Sequence, residues 1–325
     1  MAIRNDLSSL PTASASSGGW APDDGSLFGP ILIERLKTLK GEREAKKRHY
    51  IRPSDALDCA RKVGYIAAGI EGAPMDAPGW WVTSLGTIIH ELLDPAIVDH
   101  FGEHASTEHM IGTPILDDDG NRVGIEPHVV EVRGVEVSVV SFIDLWLHHP
   151  AHPSTAWDYK SVGGYAYKLA VGERNEPEGP KRSALIQAGI GALLVDAERV
   201  GVLNLARDAI SVDTARRKGF DEYRRFLAEW TVALDDIRDE VEAEILRLWK
   251  INRLVHDDGF LPIRKVPGLG GEITDPRNGA WQVWATENDE PRLVATGNYW
   301  GCDYCSHRDV CIADGPGRVE IRGRS

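Results

Sequence analysis

Cysteine is scarce in this sequence: four occur among 325 residues, too few for a disulfide scaffold. No run of about 18 apolar residues exists, so no segment is expected to span a membrane. The opening residues carry no apolar signal-peptide core, so the chain is expected to stay in the cytoplasm. Basic residues are outnumbered, 37 Lys and Arg against 50 Asp and Glu, for a net charge of −13. That excludes a surface that coats nucleic acid everywhere, but not a local basic groove, because binding follows the local field. What is present in quantity is apolar: 42% of residues, enough for a buried core and too much for a wholly disordered chain.

Residues 1–26 are rich in Ser, Ala, Gly and Pro without periodicity and read as a flexible tail. A basic stretch follows, with Arg35, Lys37, Lys40, Arg43, Lys46, Lys47, Arg48 and Arg52 against three glutamates, a local net of +5. It is either a solvated face or a nucleic-acid contact. Ser54 is placed to cap a helix containing Cys59, Val63 and Ile66. Leu85, Ile88, Ile89, Leu92, Leu93 and Ile97 repeat at helical spacing and predict a helix over 86–101. Between 108 and 160 short β-rich runs take over (109–116, 122–126, 128–133, 135–147, 155–160), with turns at Asp119-Gly120 and Arg133-Gly134. A helix over 182–196 and a strand over 200–205 complete an α/β core. From 214 to 256 the pattern reads as helical, with Phe220, Tyr223, Leu227, Trp230, Leu234, Ile237, Val241, Ile245 and Leu248 as its apolar stripe. The chain thus divides into a tail (1–26), a helical region (27–107), a core (108–213), a helical segment (214–256) and a loop-rich end (257–325).

Two predicted strands carry acids. Asp144 lies in Val139-Val140-Ser141-Phe142-Ile143-Asp144-Leu145-Trp146-Leu147, and Asp158 and Lys160 lie in Ala156-Trp157-Asp158-Tyr159-Lys160-Ser161. Residues i and i+2 of a strand share a face, so Asp158 and Lys160 project together. If the strands form a hairpin, Asp144 approaches Asp158. Two converging carboxylates repel unless a cation lies between them, and oxygen ligands suit Mg²⁺ or Mn²⁺. A nearby ammonium can stabilise developing phosphate charge or orient water. His90 sits on the helix before these strands and offers an imidazole ligand. Gln187, on the next helix, is uninformative alone.

Cys302-x2-Cys305-x5-Cys311 is a compact chelating spacing near the end of the sequence, and Cys59 is the one cysteine left to complete it. Four thiolates fit structural zinc or an iron–sulfur cluster, and a redox pair would leave two cysteines idle. Other motifs carry less. Asp117-Asp118-Asp119-Gly120 has no spaced downstream Glu and reads as a hairpin turn, not a calcium loop. His148, His149 and His152 fall in a Pro-containing connection and read as plain loop. Pro267-Gly268-Leu269-Gly270-Gly271 has no phosphate-loop lysine.

Taken in order, an early cysteine, His, Asp, D-x-K, Gln and CxxCx5C resemble the RecB-like branch of the PD-(D/E)XK nucleases in its iron–sulfur form. Within that branch it resembles the CRISPR-associated Cas four-type exonucleases and the nuclease domain of AddB. The resemblance covers roughly residues 50–315. It implies a restriction-endonuclease-like core, a mixed sheet flanked by helices, with a helical lid and a C-terminal cluster region. It implies Asp144, Asp158, Lys160 and Gln187 as catalytic residues. It implies His90, Asp144, Asp158 and the Tyr159 carbonyl as ligands of Mg²⁺ or Mn²⁺. Cys59, Cys302, Cys305 and Cys311 would hold a structural [4Fe–4S] cluster, with Trp300 and Tyr304 beside it. The implied activity is an exonuclease on DNA ends or single strands, in repair, recombination or a CRISPR-type assembly. Lys46, Lys47, Arg48, Arg52, Arg216 and Arg217 are candidate DNA contacts. One position departs from the pattern: the family often has Tyr four residues after the glutamine, and here it is Gly191.

Overall fold

The computed structural model describes residues 46–173, 177–264, 273–277, 280–287, 290–296, 305–315 and 317–321. All lie in the unit Glu42–Ser325. The tail 1–26 and Arg35, Lys37, Lys40 and Arg43 lie outside the described residues.

Two helices come first, α1 (Ala60–Ala68) and α2 (Ala77–Phe101). Six strands follow: β1 (Ala105–Ile111), β2 (Thr113–Leu116), β3 (Arg122–Glu126), β4 (His128–Val132), β5 (Val135–Val139) and β6 (Ser141–Leu147). Then come β7 (Thr155–Val162), α3 (Gly164–Ala170), α4 (Arg182–Leu194), β8 (Arg199–Ala206), α5 (Val212–Lys218), β9 (Leu227–Ala233) and α6 (Leu234–His256). The end of the chain adds β10 (Phe260–Leu261), β11 (Ile273–Arg277), β12 (Ala280–Glu287), β13 (Glu290–Thr296), α7 (Arg308–Ala313) and β14 (Val319–Glu320).

The central sheet has five strands in the order β1-β6-β7-β8-β9. β7 and β8 run parallel, and the other neighbours run antiparallel. A parallel pair needs a crossover, which α3 and α4 supply. Alternate residues of β7 and β8 serve opposite faces. Ala156, Val200 and Val202 join a core with Ile186 and Ile190 of α4 and Ile237, Val241, Ile245 and Leu248 of α6. Tyr159 and Leu203, with Leu145 of β6, pack under Ile89, Leu93 and Ile97 of α2. Each fully buried aliphatic side chain in these layers contributes about 1.5–3 kcal/mol. The mixed α/β architecture expected from the sequence is therefore present. β2–β3 and β4–β5 form separate hairpins. Arg133 and Gly134 turn the second with φ of 50° and 78°, the positive pair a tight hairpin turn requires.

Four local expectations are corrected. Ser54 does not cap α1; it lies in a 3-10 turn, Pro53–Asp55, and Cys59 occupies the cap position. α2 begins at Ala77, not Gly86, because Asp76 accepts a hydrogen bond from the Gly79 N–H at 2.8 Å and Pro78 sits in the first turn. The run 135–147 is two strands, β5 and β6. The segment 214–256 is not continuously helical: β9 lies within it as the sheet's edge strand, paired with β8 from Arg199↔Ala233 to Leu205↔Leu227. Of the predicted stripe, Ile237, Val241, Ile245 and Leu248 do line a helix, α6, and are buried. Among the described residues no helix is long and apolar enough to cross a membrane.

The end of the chain packs back onto α1. Fully buried Tyr65 donates its hydroxyl to Asp314 at 2.8 Å and stacks on His307, with ring centroids 5.4 Å apart. The His307 ring meets the Ile70 carbonyl at 3.0 Å. The buried Arg61 guanidinium donates to the carbonyls of Pro262 and Gly317.

Candidate metal centre

The ladder between β6 and β7 ends at Leu145↔Trp157. Continuing that register would set Asp144 opposite Asp158. Instead the Asp144 carboxylate Oδ2 accepts the Tyr159 backbone N–H at 2.6 Å. The strands part here, and residues from both faces of the sheet meet at the gap. His90 reaches it from α2, its Nε2 lying 3.9 Å from Asp144 Oδ1. The Tyr159 ring packs against the imidazole, centroid to centroid 5.3 Å. From α4, Gln187 Oε1 accepts from Lys160 Nζ at 3.3 Å. Lys160 Nζ also donates to Asp158 Oδ1 at 2.8 Å. The N–H and C=O of one strand residue point to the same side, so the Tyr159 carbonyl faces the gap that its N–H faces.

Asp158 is 3% exposed, and its second oxygen, Oδ2, is buried without a hydrogen-bond partner. Burial pushes this carboxyl up to about 7; Lys160 pulls it down and Asp144 pushes it further up. Burial also raises Asp144, against the Tyr159 N–H, His90 and Lys160. The Glu108 carboxylate, 2.9 Å from Nδ1, holds His90 above its usual range, against burial, with Asp144 adding to the rise. A buried carboxylate oxygen with no donor is costly unless a proton or a cation occupies it. Among the described residues, His90, Glu108 and Asp144 form the one group of three ligand atoms within 4.8 Å of one another. The donors are imidazole and carboxylate, a set that fits a divalent ion such as Mg²⁺ or Mn²⁺.

The structure therefore brings His90, Asp144, Asp158, Tyr159, Lys160 and Gln187 together. Sequence reasoning missed Glu108. No local motif marks it, and only the β1–β6 pairing places it across from Asp144, between Thr107↔Leu145 and His109↔Ile143. At Gly191 a Cβ would stand 3.2 Å from Ile143 Cγ1, a tight contact to which the Ile143 side chain would have to yield.

Cys59, Cys305 and Cys311 are half-buried free thiols, and Cys302, Trp300 and Tyr304 lie outside the described residues. Burial raises both Cys305 and Cys311, and the neighbouring Cys59 raises each further. Lys62 opposes the rise at Cys305, and Arg264 and Arg61 oppose it at Cys311.

Lys46 and Lys47 are exposed, as are Arg216 and Arg217 in the last turn of α5. Arg48 differs from these in being half-buried. Its guanidinium is turned inward onto Asp55 at 3.2 Å, with both side chains mostly buried. Arg52 donates to the Tyr50 hydroxyl at 3.3 Å. The turn at Asp117–Gly120 is a hairpin turn as expected, closed by the Asn121 N–H on Asp117 at 2.8 Å. The rings of His104, His149 and His152 gather elsewhere, His104 and His149 4.9 Å apart, but provide no group of three close ligand atoms.

No family model and no curated protein matches the chain. A solved structure titled "Crystal structure of SSO0001" is similar over 88% of this chain and 96% of its own, with 17% sequence identity and a TM-score of 0.44.

Proposed function

We propose that this protein is a divalent-metal-dependent nuclease that hydrolyses DNA from its ends, single strands in particular. One observation carries the reading: the partnerless buried Oδ2 of Asp158, set beside Asp144, His90 and Lys160 at a parting of two strands. His90, Asp144, Asp158 and the Tyr159 carbonyl would hold the ion. The ion would supply Lewis-acid polarisation of the phosphodiester. Lys160, anchored between Asp158 and Gln187, keeps an ammonium where it can orient the attacking water and offset phosphate charge. Tyr159 and α2 fix the imidazole and the first carboxylate. DNA as the substrate, and ends as its point of attack, follow from the family resemblance. The deciding assay uses end-labelled linear DNA, single- and double-stranded, beside closed circles, with Mg²⁺, Mn²⁺ or chelator. Cleavage of circles at the rate of linear strands would exclude an exonuclease. A binding subunit without chemistry would retain DNA and cut nothing.

Cys59, Cys302, Cys305 and Cys311 are proposed to hold a [4Fe–4S] cluster. In tetrahedral zinc sites the sulfurs lie about 3.8 Å apart, given Zn–S bonds of about 2.3 Å. The three described thiols do not form a group of ligand atoms within 4.8 Å of one another. Arg61, Arg264 and Lys62 provide positive charge beside thiolates.

The elevated Asp158 carboxyl makes metal binding pH-dependent. Its folded value of about 7 exceeds its ordinary 3.8, so its contribution favours the metal-free fold fully below 3.8 and is lost as pH rises through 7. Metal must displace this proton. Mn²⁺ affinity is therefore expected to climb between about pH 6 and pH 8 and to level off above. Titration calorimetry in buffers of differing ionisation enthalpy reads the released proton, and its absence near pH 6 would remove Asp158 from the ligand set.

DNA affinity is expected to fall steeply with salt despite the net charge of −13. Replacing Lys46, Lys47, Arg216 and Arg217 by Glu should flatten the slope of log K against log salt. An unchanged slope would return these residues to the role of solvated surface.

A further inference from the structure

We propose that Glu108 is a direct ligand of the divalent ion, sharing it with His90 and Asp144. The proposal rests on reading the centre as a divalent-metal site, and it adds to that site an acid that the resemblance does not mark.

Three donor atoms, one each from His90, Glu108 and Asp144, lie within 4.8 Å of one another. Ligands held about 2.0–2.2 Å from one ion stand about 3 Å apart at right angles and about 4.2 Å apart across it. The group therefore closes on an ion by small side-chain rotations. His90 Nε2 and Asp144 Oδ1, 3.9 Å apart, already stand at such a spacing and are too far apart to hydrogen-bond. Glu108 Oε1 lies 2.9 Å from Nδ1, yet that buried nitrogen has no hydrogen-bond partner. A glutamate that served to hold the ring would accept its N–H. Glu108 does not, and its carboxylate stands by the other two donors with no proton between them.

The balance of charge points the same way. Asp94, Glu108, Asp144 and Asp158 act on one another around one ammonium, Lys160, and one imidazole, His90. Lys160 is taken up by Asp158 and Gln187. Asp94 Oδ1 and Asp158 Oδ2 are buried without a hydrogen-bond partner, and Asp158 is 3% exposed. Converging carboxylates repel unless a cation lies among them. Outside an ion's reach Glu108 only adds to the repulsion; on the ion it offsets it.

β1 brings Glu108 here in a costly conformation. Its φ is 48°, a left-handed value rare for a residue with a side chain, while its neighbours keep the pairs Thr107↔Leu145 and His109↔Ile143. Such residues persist where their surroundings over-determine them, and they gather at ligand clamps. Packing does not demand it of Glu108, whose side chain is 55% exposed.

The test compares the full-length wild type with Glu108→Ala, Glu108→Gln and Asp144→Ala. Calorimetry gives the Mn²⁺ affinity. Broadening of the Mn²⁺ paramagnetic resonance by ¹⁷O-enriched water, at saturating Mn²⁺, counts the waters on the ion. Glu108→Ala is expected to bind Mn²⁺ more than about 100-fold more weakly, beyond the roughly 10–100-fold that loss of an outer-shell partner costs, and to carry one water more than wild type. Glu108→Gln keeps the size of the side chain and should melt like wild type while still binding Mn²⁺ more weakly, which separates ligation from folding. Asp144→Ala should abolish binding. Wild-type affinity in Glu108→Ala would overturn the ligand role while the metal site stands. Weaker binding with an unchanged water count would also overturn it, making Glu108 a nearby charge and no more. A wild type that binds no Mn²⁺, or binds it as Asp144→Ala does, would overturn the reading of the centre itself.

Discussion

Asp158→Ala should lose metal-dependent DNA cleavage by about a hundred- to a thousand-fold, the usual cost of removing a group that acts on the transition state. Its melting temperature should hold or rise. The carboxyl is 3% exposed, with one oxygen lacking a partner, so the native state gains little from its charge. Lys160 loses an ion pair, but its side chain is 34% exposed and can be hydrated. Asp144→Ala should be equally inactive and less stable. Its carboxylate is the acceptor for the Tyr159 N–H, and an orphaned buried donor costs about 1–3 kcal/mol. The pair of variants thus separates chemistry from folding, with a nuclease assay and a thermal melt as the two readings. Wild-type cleavage by Asp158→Ala would sink the assignment, whatever the melt shows.

Cys59→Ala should produce the opposite profile. The protein should lose iron and acid-labile sulfide together, lose its brown colour, and expose the segment 305–321 to protease. Cysteines more than two hundred residues apart meet only in the finished fold, so a cluster held by them would be linked to folding. The loss should be partial rather than complete, because Tyr65, His307 and Arg61 hold the same segment through their own hydrogen bonds. Iron content, the visible spectrum and limited proteolysis give three independent readings. Full iron in Cys59→Ala would show that the cysteines do not act as one site. Zinc in place of iron after anaerobic purification would keep the clip and discard the cluster.

The residues of the candidate metal centre were legible where their placement is local. Asp158 and Lys160 share a face because strands alternate, and β6 precedes β7 by one short connection, so Asp144 had to come near. Glu108 was not legible, because its place beside His90 and Asp144 depends on strand register and on one left-handed residue, neither of which leaves a local pattern. β9 was missed for a different reason. Phe220, Tyr223, Leu227, Trp230 and Leu234 fall at helical spacing, and a true helix begins immediately after the strand. Pairing with β8 decided the matter, and pairing is a long-range term. The start of α2 was readable in Asp76 and Pro78 but was hidden by the stronger apolar repeat further along.

The return of the last segment onto α1 also sets an order of events during synthesis. Gly317, whose carbonyl receives Arg61, is made 256 residues after it. At about 5–20 residues per second, a ribosome leaves α1 uncovered for roughly 13–50 s. Through that interval Tyr65 lacks Asp314 and the Arg61 guanidinium lacks one of its carbonyls, so α1, made early, is among the last elements to be sealed. A nascent chain stalled before residue 305 would present this patch, with Cys59 at its edge, to chaperones and oxidants.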